Sequence, residues 1–126
     1  MPQISVDYSP SLAGAFDRRA LGLSINRLVV KTIDAGPGAC KTVFREVRDF
    51  VVGVGDGDAA EGGDAQVYVE FQIFPGRTPE AKAALADAVL ALLAERIAPA
   101  PGTRLFTAVN IADIDRDSYR SATIEG

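Results

Sequence analysis

Residues 66–78 read QVYVEFQIFPGRT, and this stretch carries the strongest structural pattern in the chain. Apolar and polar residues alternate in its first part, which is the period-two pattern of a strand with one buried face. Pro75-Gly76 then predicts a turn, and Thr78 before Pro79 predicts a helix N-cap with proline at the first helical position. The alternating apolar residues are Val67, Val69, Phe71 and Ile73.

The sequence after this stretch continues the pattern of a helix and then a strand. Alanine, leucine and isoleucine recur at helical spacing after the cap, which predicts a helix that ends near Pro99. Residues 103–114 are typical of a further strand. Residues 115–126 form a polar tail in which Tyr119 and Ile124 are candidate anchors.

The N-terminal part of the chain shows the same order of elements. Residues 3–8 alternate like a strand, and Ser9-Pro10 resembles the later helix start, which predicts a helix over residues 10–33. A turn at residues 34–38 follows, and residues 42–52 are rich in valine and phenylalanine, as expected of a second strand. The sequence therefore predicts two copies of one β-α-β unit.

The two halves, about 1–52 and 66–114, are joined by a loop rich in glycine and aspartate at residues 53–65. Each crossover is expected to be right-handed and to pair its strands in parallel. We therefore predict one α+β domain over residues 1–126, with a four-stranded mixed sheet and both helices on one face. The other face would carry valine, tyrosine and phenylalanine, and subunit association would cover it.

Composition excludes several classes of function. The net charge of −4 and the absence of a Lys/Arg-rich run argue against nucleic acid and anionic membrane partners. No histidine is present, and Cys40 is the only cysteine, so neither a zinc site, a His-dependent triad nor an internal disulfide is expected. The absence of a signal-like or membrane-spanning segment predicts a cytoplasmic protein. The ten arginines against three lysines would suit a small acidic substrate, although codon bias in a chain rich in alanine, glycine and arginine is the simpler explanation.

The chain resembles the tautomerase superfamily, and within it the group of 5-carboxymethyl-2-hydroxymuconate isomerase. The resemblance rests on the opening Met1-Pro2, on ISVDYS at residues 4–9, and on VYVEFQIFPGRT at residues 67–78 with the alanine-rich segment that follows. The length and the two-copy arrangement match as well, so the resemblance covers nearly the whole chain. The strand followed by Pro-Gly-Arg-Thr and a helix is also similar to 4-oxalocrotonate tautomerase.

The resemblance implies a homotrimer without cofactor or metal, an isomerase of aromatic degradation that acts on a small enol or dienol carboxylic acid. Pro2 would be the general base, at the floor of a pocket near subunit interfaces. Arginines of the family bind the substrate carboxylates, and these map to Arg45 or Arg48, depending on register, and to Arg77. The first half has Tyr8-Ser9-Pro10 where a short tautomerase has Gly-Arg-Ser, so one family arginine is missing here.

The chemistry of Pro2 depends on the removal of Met1. A free secondary amine in an apolar pocket near cations has a lowered pKa, because its protonated form is destabilised there. An acylated nitrogen cannot take up a proton, so Met1 must be cleaved, which the small side chain of residue 2 permits. Pro2 could equally be an incidental residue before the first strand.

The other candidate residues also have structural alternatives. Tyr8 and Phe71 could line the pocket wall, with Phe71 excluding water, or they could pack in the core. Arg45 and Arg48 lie an odd number of residues apart and would face opposite sides of a strand, so only one can enter a given pocket. Arg77 could serve in a surface salt bridge. A carboxylate acid/base pair has no support in the spacing.

Three functions therefore follow from the sequence. The leading hypothesis is a cofactor-independent tautomerase or isomerase with Pro2 as base, provided that Met1 is removed. The second is a non-catalytic trimeric protein of the same fold that binds a ligand or partner. The third is a dimeric ferredoxin-like binding module.

Overall fold

The computed structural model describes residues 1–54 and 63–126. Two halves of the same element order make up this part of the chain, and short 3₁₀ turns at Pro10–Leu12 and Pro37–Ala39 lie in the first half. The elements are β1 (Gln3–Tyr8), α1 (Arg18–Ile33), β2 (Lys41–Glu46), β3 (Asp64–Ile73), α2 (Pro79–Arg96) and β4 (Arg104–Asp113).

The four strands form one mixed sheet in the order β2-β1-β3-β4. β1 pairs in parallel with β2, and β3 pairs in parallel with β4. The two halves meet through the antiparallel pair of β1 and β3, in which Gln3 lies opposite Gln72. The predicted α+β fold with two β-α-β units and a mixed sheet is confirmed.

The core lies between the sheet and the two helices, which contact each other. Alternate residues of β1 and β3 point toward the helices, and each helix directs one apolar stripe at the sheet. Burial of each such side chain contributes about 1.5–3 kcal/mol before entropy is counted. The fully buried members include Ile4, Val6, Val67, Val69, Phe71 and Ile73 from the strands, and Leu21, Ile25, Val29, Leu85, Val89 and Leu93 from the helices.

The first helix starts later than predicted, and the reason lies in Ser9. The Ser9 side chain is buried and its Oγ accepts a hydrogen bond from the Gln66 N–H at 2.8 Å, so it does not cap a helix. A 3₁₀ turn follows instead, and α1 begins at Arg18, with Asp17 accepting from the Ala20 N–H at 3.0 Å. The prediction of one helix over residues 10–33 was therefore wrong for its first eight residues.

The second helix starts as predicted. Thr78 Oγ1 accepts a hydrogen bond from the Ala81 N–H at 3.1 Å, and Pro79 occupies the first helical position. Its end is near the predicted one, at Arg96 rather than at Pro99.

The observed strands differ in length from the predicted ones because pairing decides where a strand ends. β2 stops at Glu46, opposite the last residue of β1, and not at residue 52, because no partner strand continues beside it. β3 starts two residues earlier than expected, where Asp64 pairs with Arg104. Residues 55–62 of the predicted loop lie outside the described residues, and the single domain stays a prediction.

Gly22 lies inside α1, where glycine costs about 1 kcal/mol relative to alanine. A Cβ atom at this position would lie 3.2 Å from Cε2 of Phe44 on β2. The glycine therefore lets the helix approach the sheet edge closely.

The sheet face away from the helices carries exposed apolar side chains between polar ones. Val43, Tyr68 and Phe106 are 42%, 40% and 43% exposed, which confirms the predicted valine, tyrosine and phenylalanine on this face. Ion pairs lie beside them, from Arg45 to Asp7 at 2.8 Å and from Arg104 to Asp64 at 3.0 Å. We call this side of the sheet the open face.

The C-terminal segment has one of the two expected anchors. The ring of Tyr119 lies edge-on to Phe74, with 5.4 Å between centroids, as an anchor should. Ile124 is 94% exposed, so the second predicted anchor was wrong. Of the helices within residues 1–54 and 63–126, none has the length and apolar character needed to cross a membrane.

Candidate active site

A small cavity of about 160 Å³ lies where the start of β1 meets the end of β3. Antiparallel pairing of the two strands creates this place, because it brings the N-terminus of the chain beside the turn that follows β3. Pro2 and Arg77, which the sequence predicted as base and carboxylate ligand, both line the cavity. The other lining residues are Met1, Ile33, Asp34, Ala35, Gly36, Ile73 and Phe74.

Pro2 is buried and held by the sheet. Its carbonyl accepts a hydrogen bond from the Lys41 N–H at 3.2 Å, which extends the β1–β2 pairing by one residue. Its nitrogen is part of the Met1–Pro2 amide and has no basicity in that state. Because Met1 itself lines the cavity, its removal would both expose a secondary amine and enlarge the space in front of it.

Arg77 is fixed by the C-terminal end of α1. Its Nη2 donates to the Ile33 carbonyl at 2.8 Å, where the last carbonyls of a helix lack intrahelical partners. The negative end of the helix dipole favours the guanidinium at this position. A guanidinium has five N–H donors, so the remaining ones can still bind a carboxylate.

Asp34 is a cavity residue that the sequence analysis treated only as part of a turn. It ends α1 in the left-handed conformation, with φ 55° and ψ 39°, a position that glycine usually takes and that aspartate tolerates better than most residues. This conformation places Asp34 in the cavity wall with Pro2 and Arg77. The signal in the sequence was an acidic residue directly after a helix and before Ala-Gly-Pro.

The two other predicted arginines do not reach Pro2 within one protomer. Arg45 lies opposite Asp7, which is five residues along β1 from Pro2, or about 16 Å at about 3.3 Å per residue. The hydrogen bond from Arg45 Nε to Asp7 also raises the pKa of the guanidinium. Arg48 is exposed beyond the end of β2, so the argument that the two arginines face opposite sides of a strand does not apply. A role for either at a subunit interface stays a prediction.

The two predicted wall residues lie in the core. Phe71 is fully buried between the sheet and the helices, and Tyr8 packs edge-on against Phe16 at 5.4 Å, with its hydroxyl near Arg18. Neither residue lines the cavity. Within one protomer, both side chains pack in the core rather than in a pocket wall. Phe74 takes the wall position instead. Sequence reasoning missed it because alternation assigns residue 74 to the polar face, whereas β3 ends at Ile73.

Cys40 lies near the site without lining the cavity. Its Sγ contacts the Gly36 carbonyl at 3.6 Å, and burial raises the pKa of the thiol, while the N-terminal amine and Lys41 act in the opposite direction. Among the residues that the structure describes, no three histidine, cysteine or acidic side chains are grouped as metal ligands would be.

Larger cavities lie around α1, away from Pro2. One of about 460 Å³ lies between α1 and α2, and another of about 430 Å³ lies beside Leu23 and Val30. Both are shallow, whereas the Pro2 cavity is the more enclosed one. Enclosure matters for chemistry because the exclusion of water strengthens electrostatic interactions.

The sequence matches no family model and none of the curated proteins. Solved structures are nevertheless similar in fold. A 5-carboxymethyl-2-hydroxymuconate isomerase from Deinococcus radiodurans R1 is 18% identical with a TM-score of 0.76, over 98% of this chain and 90% of that one. A fused 4-OT described as a symmetric trimer is 24% identical with a TM-score of 0.66, over 95% and 91% of the two chains.

A third similar structure is N1, a member of the cis-3-chloroacrylic acid dehalogenase family. It is 20% identical with a TM-score of 0.64, over 93% of this chain and 79% of that one. The three similarities span nearly the whole chain, and the predicted tautomerase-like fold is thereby confirmed.

Proposed function

We propose that the chain, once Met1 is removed, is a cofactor-independent tautomerase or isomerase of a small unsaturated carboxylic acid. The observation that carries this proposal is the shared cavity of Pro2 and Arg77. The fold is similar to that of proteins described as a 5-carboxymethyl-2-hydroxymuconate isomerase and a fused 4-OT, which supports an isomerase-type activity.

Pro2 would act as the general base. Its free nitrogen would take a proton from the enol oxygen or from a carbon of the substrate and return it to another carbon, which moves the double bond. The guanidinium of Arg77 in the same cavity would favour the unprotonated amine, whereas the carboxylate of Asp34 would act in the opposite direction. The balance of the two sets the pH at which the base is free.

Arg77 would hold the substrate. A guanidinium binds a carboxylate through two parallel hydrogen bonds, and the bond to the Ile33 carbonyl fixes its direction. The same positive charge would stabilise the enolate that develops when the proton leaves carbon. The shared cavity of Pro2 and Arg77 would hold a small acid with its carboxylate on the guanidinium.

The open face supports a homotrimer, because Val43, Tyr68 and Phe106 expose apolar surface that a second and third copy would cover. Two of the similar structures are described as symmetric trimers. Such an assembly is also the way in which Arg45 or Arg48 could reach the Pro2 of another protomer. Cytoplasmic location and a place in aromatic degradation stay predictions.

The alternative is a non-catalytic trimeric protein of the same fold that binds a ligand or a partner. The position of Met1 in the cavity favours it wherever the methionine is retained, because the amide nitrogen of Pro2 is then not a base.

The test begins with intact mass spectrometry of the expressed protein, followed by assays with 2-hydroxymuconate and phenylenolpyruvate. We expect the methionine-free chain to ketonise an enol acid, and Pro2→Ala to lower kcat/KM by about 100-fold to 10,000-fold, the usual contribution of a positioned acid/base group. Pro101→Ala, in an exposed turn away from the cavity, is the control and should leave kcat/KM unchanged. Retention of Met1 would overturn the proline-base mechanism in favour of the binding protein. Equal activity of Pro2→Ala would show that the turnover does not depend on Pro2.

A further inference from the structure

Phe74 lines the Pro2 cavity from a position just outside the sheet. β3 ends at Ile73, and the Ile114 N–H donates to the Ile73 carbonyl at 2.8 Å. Phe74 lies one residue beyond this bond, outside the strand, and its side chain lines the cavity with Pro2 and Arg77. The position of the ring therefore depends on the side chains that pack on it rather than on strand pairing.

Two side chains of the C-terminal segment pack on the ring of Phe74. The guanidinium carbon of Arg116 lies 4.0 Å from the ring centroid, and the ring of Tyr119 is nearly perpendicular to that of Phe74, with 5.4 Å between centroids. Both arrangements are favourable, because an aromatic ring attracts a cation at its face and perpendicular rings place a positive edge against a negative face. We call Arg116 and Tyr119 the ring clamp.

A turn within the C-terminal segment holds the ring clamp in place. Asp115 Oδ1 accepts a hydrogen bond from the Asp117 N–H at 3.0 Å, and Asp115 Oδ2 accepts one from the Ser118 hydroxyl at 3.0 Å. Arg116 lies inside this turn, and Tyr119 directly follows it. Apart from the partly buried Tyr119, residues 115–126 are exposed. The contact with Phe74 is therefore a main attachment of this segment to the rest of the molecule.

The position of the Phe74 ring matters for the chemistry proposed for Pro2. A ring that stays in the wall excludes water from the space in front of the amine. A ring that leaves the wall admits water, which stabilises the protonated amine, because desolvation is one of the causes that lower the pKa of an amine. The apparent affinity for a substrate also falls with the fraction of molecules whose ring is in the wall.

We propose that Arg116 and Tyr119 are positioning residues of the candidate active site, which hold the ring of Phe74 in the cavity wall. Neither side chain lines the cavity, and both act through Phe74. The C-terminal segment thereby contributes to the site without touching the substrate. This inference rests on the proposed function for the location of the site and not for its turnover.

The first measurement is a titration of the Pro2 amine by NMR of its nitrogen, which needs neither ligand nor turnover. Methionine aminopeptidase supplies the free amine if the cell retains Met1. Tyr119→Ala changes no charge and should raise the pKa of the amine, because a loosened ring admits water. Tyr119→Phe keeps the perpendicular ring and should leave this pKa unchanged. Arg116→Gln should also raise it, and Arg116→Lys, which keeps a cation for the ring, should restore most of the difference.

The second measurement repeats these substitutions in a chain that carries Phe74→Leu, which keeps an apolar side chain but offers no ring to hold. Phe74→Leu alone should raise the pKa of the Pro2 amine. Tyr119→Ala and Arg116→Gln should then add nothing, because residues that act through one partner are not additive. A further rise in either double variant would mean that the ring clamp acts on Pro2 by another route. An unchanged pKa in Tyr119→Ala alone would mean that Phe74 needs no clamp. Either outcome overturns the inference.

Kinetics with phenylenolpyruvate extend the comparison to turnover. The contribution of an aromatic pair corresponds to a factor of about 2 to 10 in the population of the wall position, so kcat/KM of Tyr119→Ala should fall by about 2-fold to 10-fold. Ile124→Ala, in the same segment and 94% exposed, is the matched control and should change neither kcat/KM nor the pKa of the amine. An equal loss in Ile124→Ala would overturn the inference, because any change in the segment would then have this effect. An inactive chain with the expected titrations would contradict the proposed function alone.

Discussion

The two β-α-β halves share one topology but differ at the junction between the first strand and the helix. In the second half, β3 passes to α2 through residues 74–78, and Thr78 caps the helix at once. In the first half, residues 9–17 separate β1 from α1, with a 3₁₀ turn between them. The difference begins at Ser9, whose side chain bonds across the sheet instead of capping a helix.

Within residues 1–54 and 63–126, this difference distinguishes the surroundings of the two junctions. Because β1 and β3 are antiparallel, each junction lies beside the start of the other half. The junction after β1 meets Gln66 inside β3, where Ser9 and Gln66 form hydrogen bonds with each other. The junction after β3 meets the N-terminus of the chain, where a cavity remains. The chain terminus, rather than the repeated fold, makes the site.

The largest expected effect comes from Phe71→Ala, which tests whether the two halves are energetically separate. Phe71 is fully buried opposite Ile4, at the pairing that joins the halves. Its truncation should lower the free energy of unfolding by about 3–5 kcal/mol. Circular dichroism in urea should still show one transition, because both halves share the core. Two separated transitions would contradict this prediction, because they would show that the two halves fold independently.

Ser9→Ala addresses the junction of the first half. The substitution leaves the partly buried Gln66 N–H without its acceptor, which should cost about 1–2 kcal/mol. Ser11→Ala, an exposed position in the adjacent 3₁₀ turn, is the control and should change stability little. If Ser9→Ala were also neutral, the hydrogen bond would not be the reason for the long junction.

The contrast between Ser9 and Thr78 also shows where a local sequence pattern predicts a helix cap correctly and where it does not. Both precede a proline after an alternating strand, and the pattern predicts a cap for each. For Thr78 this is right, but for Ser9 a contact with a residue 57 positions away decides the conformation. The same limit applies to Phe74, whose place in the cavity depends on where pairing with β4 ends.

Pro2 and Arg77 are the part of the candidate site that the sequence could predict. The resemblance identified them by their positions at a chain terminus and a helix start, which do not depend on strand register. Asp34 could not be found in this way, because it reaches the cavity only through three-dimensional packing. The choice between Arg45 and Arg48 depends on contacts between protomers.

The caps of the two helices allow a finer comparison of the halves. Thr78→Ala removes the acceptor of the Ala81 N–H, and Asp17→Ala removes the acceptor of the Ala20 N–H. Each should lower the free energy of unfolding by about 1 kcal/mol, because both caps are exposed and alike in length. Denaturation in urea measures both values. A much larger loss for Asp17→Ala would show that the longer first junction depends on its cap more than the second does.

The smallest effect concerns the seam between the halves on the open face, where Tyr68 of β3 lies opposite Asp7 of β1. The Tyr68 hydroxyl donates to Glu70 at 2.9 Å, and this bond, followed by partial desolvation and the charge of Glu70, raises the pKa of the phenol above its ordinary value of 10.0. The bond favours the protonated phenol, so its stabilisation holds below pH 10 and is lost as the pH rises through the raised pKa.

Glu70→Gln should therefore move the pKa of Tyr68 down toward 10, whereas Asp7→Asn, across the seam, should leave it in place. Tyrosinate absorbance measured against pH, with Tyr68→Phe to identify the signal, separates the two cases. A decrease in Asp7→Asn equal to that in Glu70→Gln would mean that the first half controls this residue as strongly as its own strand does. If Tyr68 titrates only when the protein dissociates, a neighbouring copy of the chain covers its side chain. Burial at such an interface further disfavours the phenolate.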